Sequence, residues 1–343
     1  MRTIPPGMYA LIQQLHRNGQ LQSILSAPPQ GGSSPDAAKI RAAYIGFQTL
    51  FNNRLKGGSP IYKQIATVVE TDNVLDRQIW LQATPKMKRW LGDKTVSRLR
   101  AESLPIVTQP HEASLEIPAS DIWNDRFGIY KEKINQLGDS YDIANDELAI
   151  VMIAAGIQGT TLGTTYDGQN LIDTDHTTLS GGGTAQSNKV TGAFSASVYQ
   201  TAWQRFLGIK DENNTPVNVL QKRLKLVVGP ANRDAARLVL TQDIGAAGAR
   251  NIDVGTADLI VTPWITAGTR SVLGQSVTLT GLEWFMMPEG SAALIIQHKR
   301  GPDFLAVEEG EFRFRTGKYL YGAEAEFGAA YGLWQEIVGG PGA

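Results

Sequence analysis

Five large apolar residues, Ile40, Tyr44, Phe47, Phe51 and Leu55, recur at gaps of four, three, four and four, and this stripe constrains the chain more than any other feature. That spacing gathers all five on one side of an α-helix and scatters them over both faces of a strand. Ser34 can cap the helix, Pro35 suits its first turn, and Gly57 suits its end. A face carrying aromatic rings must be covered. Either it packs on its own domain, or it belongs to an arm helix that docks on a neighbouring subunit. The Gly31-Gly32-Ser33-Ser34 hinge before it and Gly57-Gly58 after it keep the second reading level with the first. The first 35 residues lack a core-forming pattern and read as a tail that cannot offset its own ordering entropy.

Period-two patterning follows. Thr95–Val107 puts Arg98, Arg100 and Glu102 on one face, and the return arm His111–Ala119 puts Glu112, Ser114 and Glu116 opposite Ala113, Leu115 and Ile117. We expect a long hairpin with a thin apolar face, which needs support because an isolated hairpin is marginal in water. The opposite charges on the two arms suggest complementarity within the hairpin or across subunits. Asp121–Gln158 reads as a long helix capped by Asp121, with a kink or break at Gly138. From Ala196 the pattern becomes an α/β lobe. Helices are expected at Ala196–Leu207 and Ala231–Leu240, and strands at Leu224–Val228, Leu259–Ile265, Leu282–Met287 and Ala293–Gln297. The tail from Glu311 reads as strand, since Phe312 and Phe314 alternate with Arg313 and Arg315.

Composition narrows the function. A chain of 343 residues with 42% hydrophobic content can bury a large core. With 32 basic and 33 acidic residues, it lacks the basic excess of a dedicated nucleic-acid binder. The absence of cysteine excludes disulfides, thiolate metal sites and cysteine nucleophiles. No apolar run reaches the ~18 residues of a membrane span, and Met1–Gln20 lacks the apolar core of a signal peptide. Nucleophile-elbow, P-loop, zincin and dinucleotide motifs are missing. The most site-like group is Asp167, Asp173, Asp175 and His176, which could ligate a metal in a hydrolase. The competing reading is a turn-rich loop whose Asp and His side chains bond to backbone. Catalysis is not expected, and no cofactor or metal is assigned.

A set of short motifs resembles the major head subunit family of Mu-like phages and prophages. They are Trp80-Leu81, Pro85 to Lys94, Asn124 to Tyr130, Tyr166-Asp167-Gly168-Gln169 with Asp175-His176, Leu226 to Pro230, Val261 to Trp264, Glu283-Trp284-Phe285 and Gly328 to Gln335. Their order carries the resemblance from about residue 60 to 337. Lys94 departs from the pattern by standing where Arg is expected, and the first 35 residues match nothing in it.

The resemblance implies an α+β Hong Kong 97-type capsid fold. Its parts would be an N-terminal arm (1–58), a P-domain entry segment (59–91), an E-loop hairpin (92–120), a P-domain spine helix and loop (121–195), an A-domain (196–300) and C-terminal P-domain strands (301–343). It also implies a non-enzymatic shell subunit, located in the virion and assembled in the host cytoplasm. Pentamers and hexamers of this chain would enclose double-stranded DNA contacted non-specifically, with a portal, a separate scaffolding protein, an optional decoration protein and no membrane. Ile40, Tyr44, Phe47, Phe51 and Leu55 would anchor the arm, and Arg98, Arg100, Glu102, Glu112 and Glu116 would serve the hairpin between subunits. Some relatives join subunits through a Lys–Asn bond, but nothing in this sequence selects a pair. Two alternatives are an encapsulin-like nanocompartment and a metal-dependent hydrolase built on Asp167, Asp173 and His176.

Overall fold

Proline lacks a backbone N–H and is tolerated at a helix only in the first turn. In the computed structural model Pro35 takes that place and opens helix α1, Pro35–Gly57. The structure describes residues 35–73, 75–81, 101–124, 126–159, 162–177, 184–211, 214–218, 222–242, 250–307 and 311–342. After α1 come α2 (Tyr62–Ile65), β1 (Thr67–Glu70), β2 (Leu75–Leu81), β3 (Ala101–Val107), β4 (Gln109–Pro118), α3 (Ala119–Trp123) and α4 (Phe127–Gln158). Then follow α5 (Ala196–Gly208), β5 (Leu224–Val228), α6 (Arg233–Thr241), β6 (Ala257–Val261), β7 (Gly268–Val272) and β8 (Gln275–Leu279). The chain closes with β9 (Trp284–Pro288), β10 (Leu294–Val307), α7 (Glu311–Thr316), β11 (Lys318–Tyr331) and β12 (Val338–Gly340). The larger sheets have the orders β1-β10-β11-β4 and β12-β9-β5-β6.

Two units divide the chain. The first holds the described residues up to Gly58 together with His111–Asp142 and Pro302–Ala325. Its core is built on the α1 stripe. Ile40, Phe47 and Phe51 are buried, and they cluster with Ile117, Ile122, Ile134, Phe304, Tyr319 and Tyr321, with Tyr44 and Leu55 packed alongside. Phe47 meets Tyr321 edge-on at 5.2 Å, and Phe51 lies 5.4 Å from Phe304. Full burial of such a side chain is worth about 1.5–3 kcal/mol, so the stripe holds α1 on its own unit. These five side chains, expected to anchor an arm on a neighbouring subunit, pack within the chain's own first unit.

Strand β4 alternates as expected, with Glu112, Ser114 and Glu116 exposed and Ala113, Leu115 and Ile117 turned inward. Its hairpin partner differs from the expectation. Strand β3 pairs with β2, in register from Leu75↔Val107 to Leu81↔Ala101, while β4 joins the sheet containing β11. Alternation marks a strand but not its partner. Two further corrections concern helices. Gly138 does not break α4, which runs unbroken for 32 residues; a Cβ there would meet Arg54 Cβ at 3.0 Å and the Phe51 carbonyl oxygen at 3.2 Å. Glycine thus lets two helices approach closely. Glu311–Thr316 is a helix with no buried residue, so its Phe/Arg alternation has no sheet face to serve.

The second unit comprises Ser59–Pro110, Ile143–Gly301 and Glu326–Ala343. All five residues of β5 are buried, as befits a strand covered on both faces. It pairs in parallel with β6 and antiparallel with β9. A parallel pair requires a crossover, which α6 supplies between β5 and β6. Leu226, Val228, Trp284 and Met286 pack with Tyr199, Ala202 and Phe206 of α5. Ser195 caps α5 by accepting from the Val198 amide. The lone cation of β5, Lys225, reaches Asp258 at 3.1 Å and Glu289 at 3.6 Å. In the same unit, residues 148–155 of α4 are apolar and buried throughout, the pattern of a helix enclosed on all sides.

Candidate functional site: the acidic loop and the assembly elements

The Tyr166–His176 loop is folded by its own polar side chains. Gly168, with φ of 81°, closes a turn in which its amide donates to the Thr165 carbonyl. Asp167 lies at the centre. It accepts from Thr165 Oγ1 at 2.5 Å, from the Gln169 amide at 3.2 Å and from the Thr177 amide at 3.0 Å. Its Oδ2 meets Nδ1 of His176 at 2.9 Å, and both side chains are almost wholly withdrawn from water. Burial pushes the Asp167 carboxyl up, but the bonds from His176, Thr165 and Thr177 outweigh it and hold the group below its usual value.

The other two acids turn elsewhere. Asp173 accepts from Asn170 Nδ2 and from the Thr174 amide, each at 2.8 Å, while Asp175 accepts from Gln169 Nε2 at 3.2 Å. The structure therefore corrects the hydrolase alternative: Asp167 and His176 meet, but Asp173 and Asp175 do not join them. Among the described residues no three acidic or histidine side chains could share a metal. Sequence reasoning missed the partners supplied by the C-terminal tail. His176 stacks on Trp334, Asn188 Nδ2 donates to the Trp334 carbonyl at 3.1 Å, and Gln335 Nε2 donates to the Tyr166 hydroxyl at 2.5 Å. No local pattern could have shown these pairings. In the sequence Trp334 stands within the Gly328 to Gln335 motif, which carries no sign of a stacking partner.

Of the hairpin residues, Arg98 and Arg100 lie outside the described residues, and Glu102 is placed on β3 opposite Trp80. Glu116 is bonded by Lys318 Nζ of β11 at 2.5 Å; Glu112 is exposed. The first unit also exposes large apolar side chains that its own core does not use, including Phe314 (92% exposed), Ile129 (65%) and Trp123 (45%).

A family model described as the Mu-like prophage major head subunit gpT matches residues 40–197 and 189–265. The Mu-like prophage FluMu major head subunit of Haemophilus influenzae is 31% identical over 137 residues, covering 40% of this chain and 43% of that protein. The major capsid protein of Escherichia phage Mu is 28% identical over 139 residues, covering 40% and 44%. The chain thus spans less than half the length of the curated relatives it matches. Among solved structures, the procapsid of bacteriophage JBD30 aligns with a TM-score of 0.51 at 20% identity, covering 89% of this chain and 75% of that one. The mature capsid of bacteriophage PhiM1 aligns with a TM-score of 0.54 at 12% identity, covering 82% and 86%. At such identities the likeness shows the fold alone, an α+β capsid fold of the Hong Kong 97 type.

Proposed function

The chain belongs to the Mu-like prophage major head subunit family, and on that premise we propose that it is the principal building block of a tailed-phage head. The match of the family model to residues 40–265 carries this reading. Copies of the chain assemble as pentamers and hexamers into a closed icosahedral shell around double-stranded DNA. A portal, a separate scaffolding protein and an optional decoration protein complete the head, and the chain itself performs no catalysis. The subunit resides in the virion after assembly in the host cytoplasm.

Two observations fit this role. The shell's work is burial of shared surface, and the first unit offers exposed Phe314, Ile129 and Trp123 for it. The β2–β3 hairpin pairs over seven residues a side, and its connecting segment includes Arg98 and Arg100. We assign that hairpin, with Glu102 on its return strand, to contact between subunits. Glu112 remains an exposed candidate for the same contact, whereas Glu116 has Lys318 in its own unit.

Negative-stain imaging of the purified protein, alone and coexpressed with its neighbouring head genes, tests the proposal. Closed shells or capsomer rings are expected. Dispersed monomers under both conditions would overturn it.

A further inference from the structure

A cavity of about 410 Å³ opens on the second unit beside the start of α5. Its wall includes Ser187, Lys189, Thr191, Ser197, Thr201 and Arg205, and it contains no acidic side chain. Arg205 sets the chemistry. Its Nη1 donates to Ser187 Oγ at 2.8 Å and to the Lys189 carbonyl. Those bonds fix the guanidinium plane and leave the Nε–Nη2 edge unbonded, the edge that can hold two oxygens of one anion side by side.

The remaining donors can be counted in the same way. Thr201 gives its hydroxyl proton to the Ser197 carbonyl at 2.9 Å, and Ser187 gives its own to the Asp173 or Lys189 carbonyl at 3.3 Å. Ser197 shares its hydroxyl with Ser195 at 3.1 Å. What stays available is the Arg205 edge, the Lys189 ammonium and the Thr191 hydroxyl. No carboxylate among the described residues forms an ion pair with either cation. Asp173 feels the charge of Lys189, but its oxygens are held by Asn170 and Thr174.

Two cations without a carboxylate, one of them with its binding edge held open, call for an anion. We propose that this cavity binds a phosphate-class oxyanion, gripped side-on by Arg205 and from a second direction by Lys189. The inference is independent of shell building, since every residue it uses lies in one unit of a single chain.

Calorimetric titration of inorganic phosphate into the full chain, at fixed ionic strength, tests it. The expected result is one saturable site per chain, weakened about tenfold in Lys189→Gln and in Arg205→Lys, with an unchanged unfolding midpoint for Lys189→Gln in chloride. A mixed-sequence DNA duplex forms the second arm. Competition with phosphate would identify a backbone phosphodiester as the source of the group, and failure to compete would identify a free phosphoryl compound. Absence of saturable phosphate binding, or equal binding by Lys189→Gln and the parent chain, overturns the proposal.

Discussion

The imidazole of His176 lies flat on the indole of Trp334, with ring centroids 4.4 Å apart and planes 7° from parallel. One ring thus joins the acidic loop to the C-terminal tail, while its Nδ1 is held by buried Asp167. Replacing Asp167 with Ala strands His176 Nδ1 and the Gln169 and Thr177 amides without their acceptor. The expected cost is about 3 kcal/mol, read as a lower urea midpoint. A chelator should leave the midpoint of the parent chain unmoved, because His176, Thr165 and Thr177 already occupy the Asp167 carboxylate. The carboxyl titrates below its usual value in the fold. Its contribution is therefore complete above the unfolded value of about 3.9 and is lost as pH falls below that.

His298 responds to acid over a different range. Burial, followed by the nearby Lys63 ammonium, pushes its pKa from 6.5 down to about 4. The neutral ring donates from Nε2 to Asn145 Oδ1 at 3.1 Å. The unfolded chain takes up a proton near pH 6.5 and the folded one only near pH 4, so stability declines as pH falls between those values. The loss is on the order of 3 kcal/mol. Urea midpoints measured across that range should fall, and the slope should flatten in His298→Gln. An equal slope in the variant would assign the acid sensitivity to other groups.

Strands β7 and β8 are joined by Leu273 and Gly274, which have φ of 49° and 76°. Two left-handed residues in a two-residue hairpin loop define the type I′ turn, which favours Asn-Gly. Leucine pays there for a backbone shape that asparagine adopts readily. Leu273→Asn is expected to stabilise the fold by about 0.5–1 kcal/mol, seen as a higher thermal midpoint. An unchanged or lower midpoint would mean that the half-buried Leu273 side chain contributes more by packing than its backbone costs.

These cases show where sequence reading succeeds and where it stops. The α1 stripe was legible because its spacing is a property of one helix, and β4 because alternation is a property of one strand. Choosing the partner of β3 required knowing which of two neighbouring strands closed a sheet, and no residue in β3 carries that information. Gly138 looked like a helix breaker, since glycine costs a helix about 1 kcal/mol, yet close approach to Phe51 and Arg54 explains it. The acidic loop was legible as a cluster, but its stacking partner lies more than 150 residues downstream. The Arg205 cavity left no motif, because its cations come from α5 and from the segment before it.

The packing of α1 within its own unit leads to a different outcome for truncation than the arm reading does. If the stripe docked on a neighbour, removing residues 1–57 would leave a folded core that could not assemble. Phe304 and Tyr321, however, are covered by Tyr44, Phe47 and Phe51 of the same unit. Truncation should therefore expose these rings and destabilise the first unit before assembly is at issue. A finer probe is Phe51→Ala, which empties a site that is fully buried. Its expected cost is about 3–5 kcal/mol, measurable by urea unfolding of dispersed protein. Parent-like unfolding of Phe51→Ala, combined with failure to form shells, would return the stripe to the subunit interface.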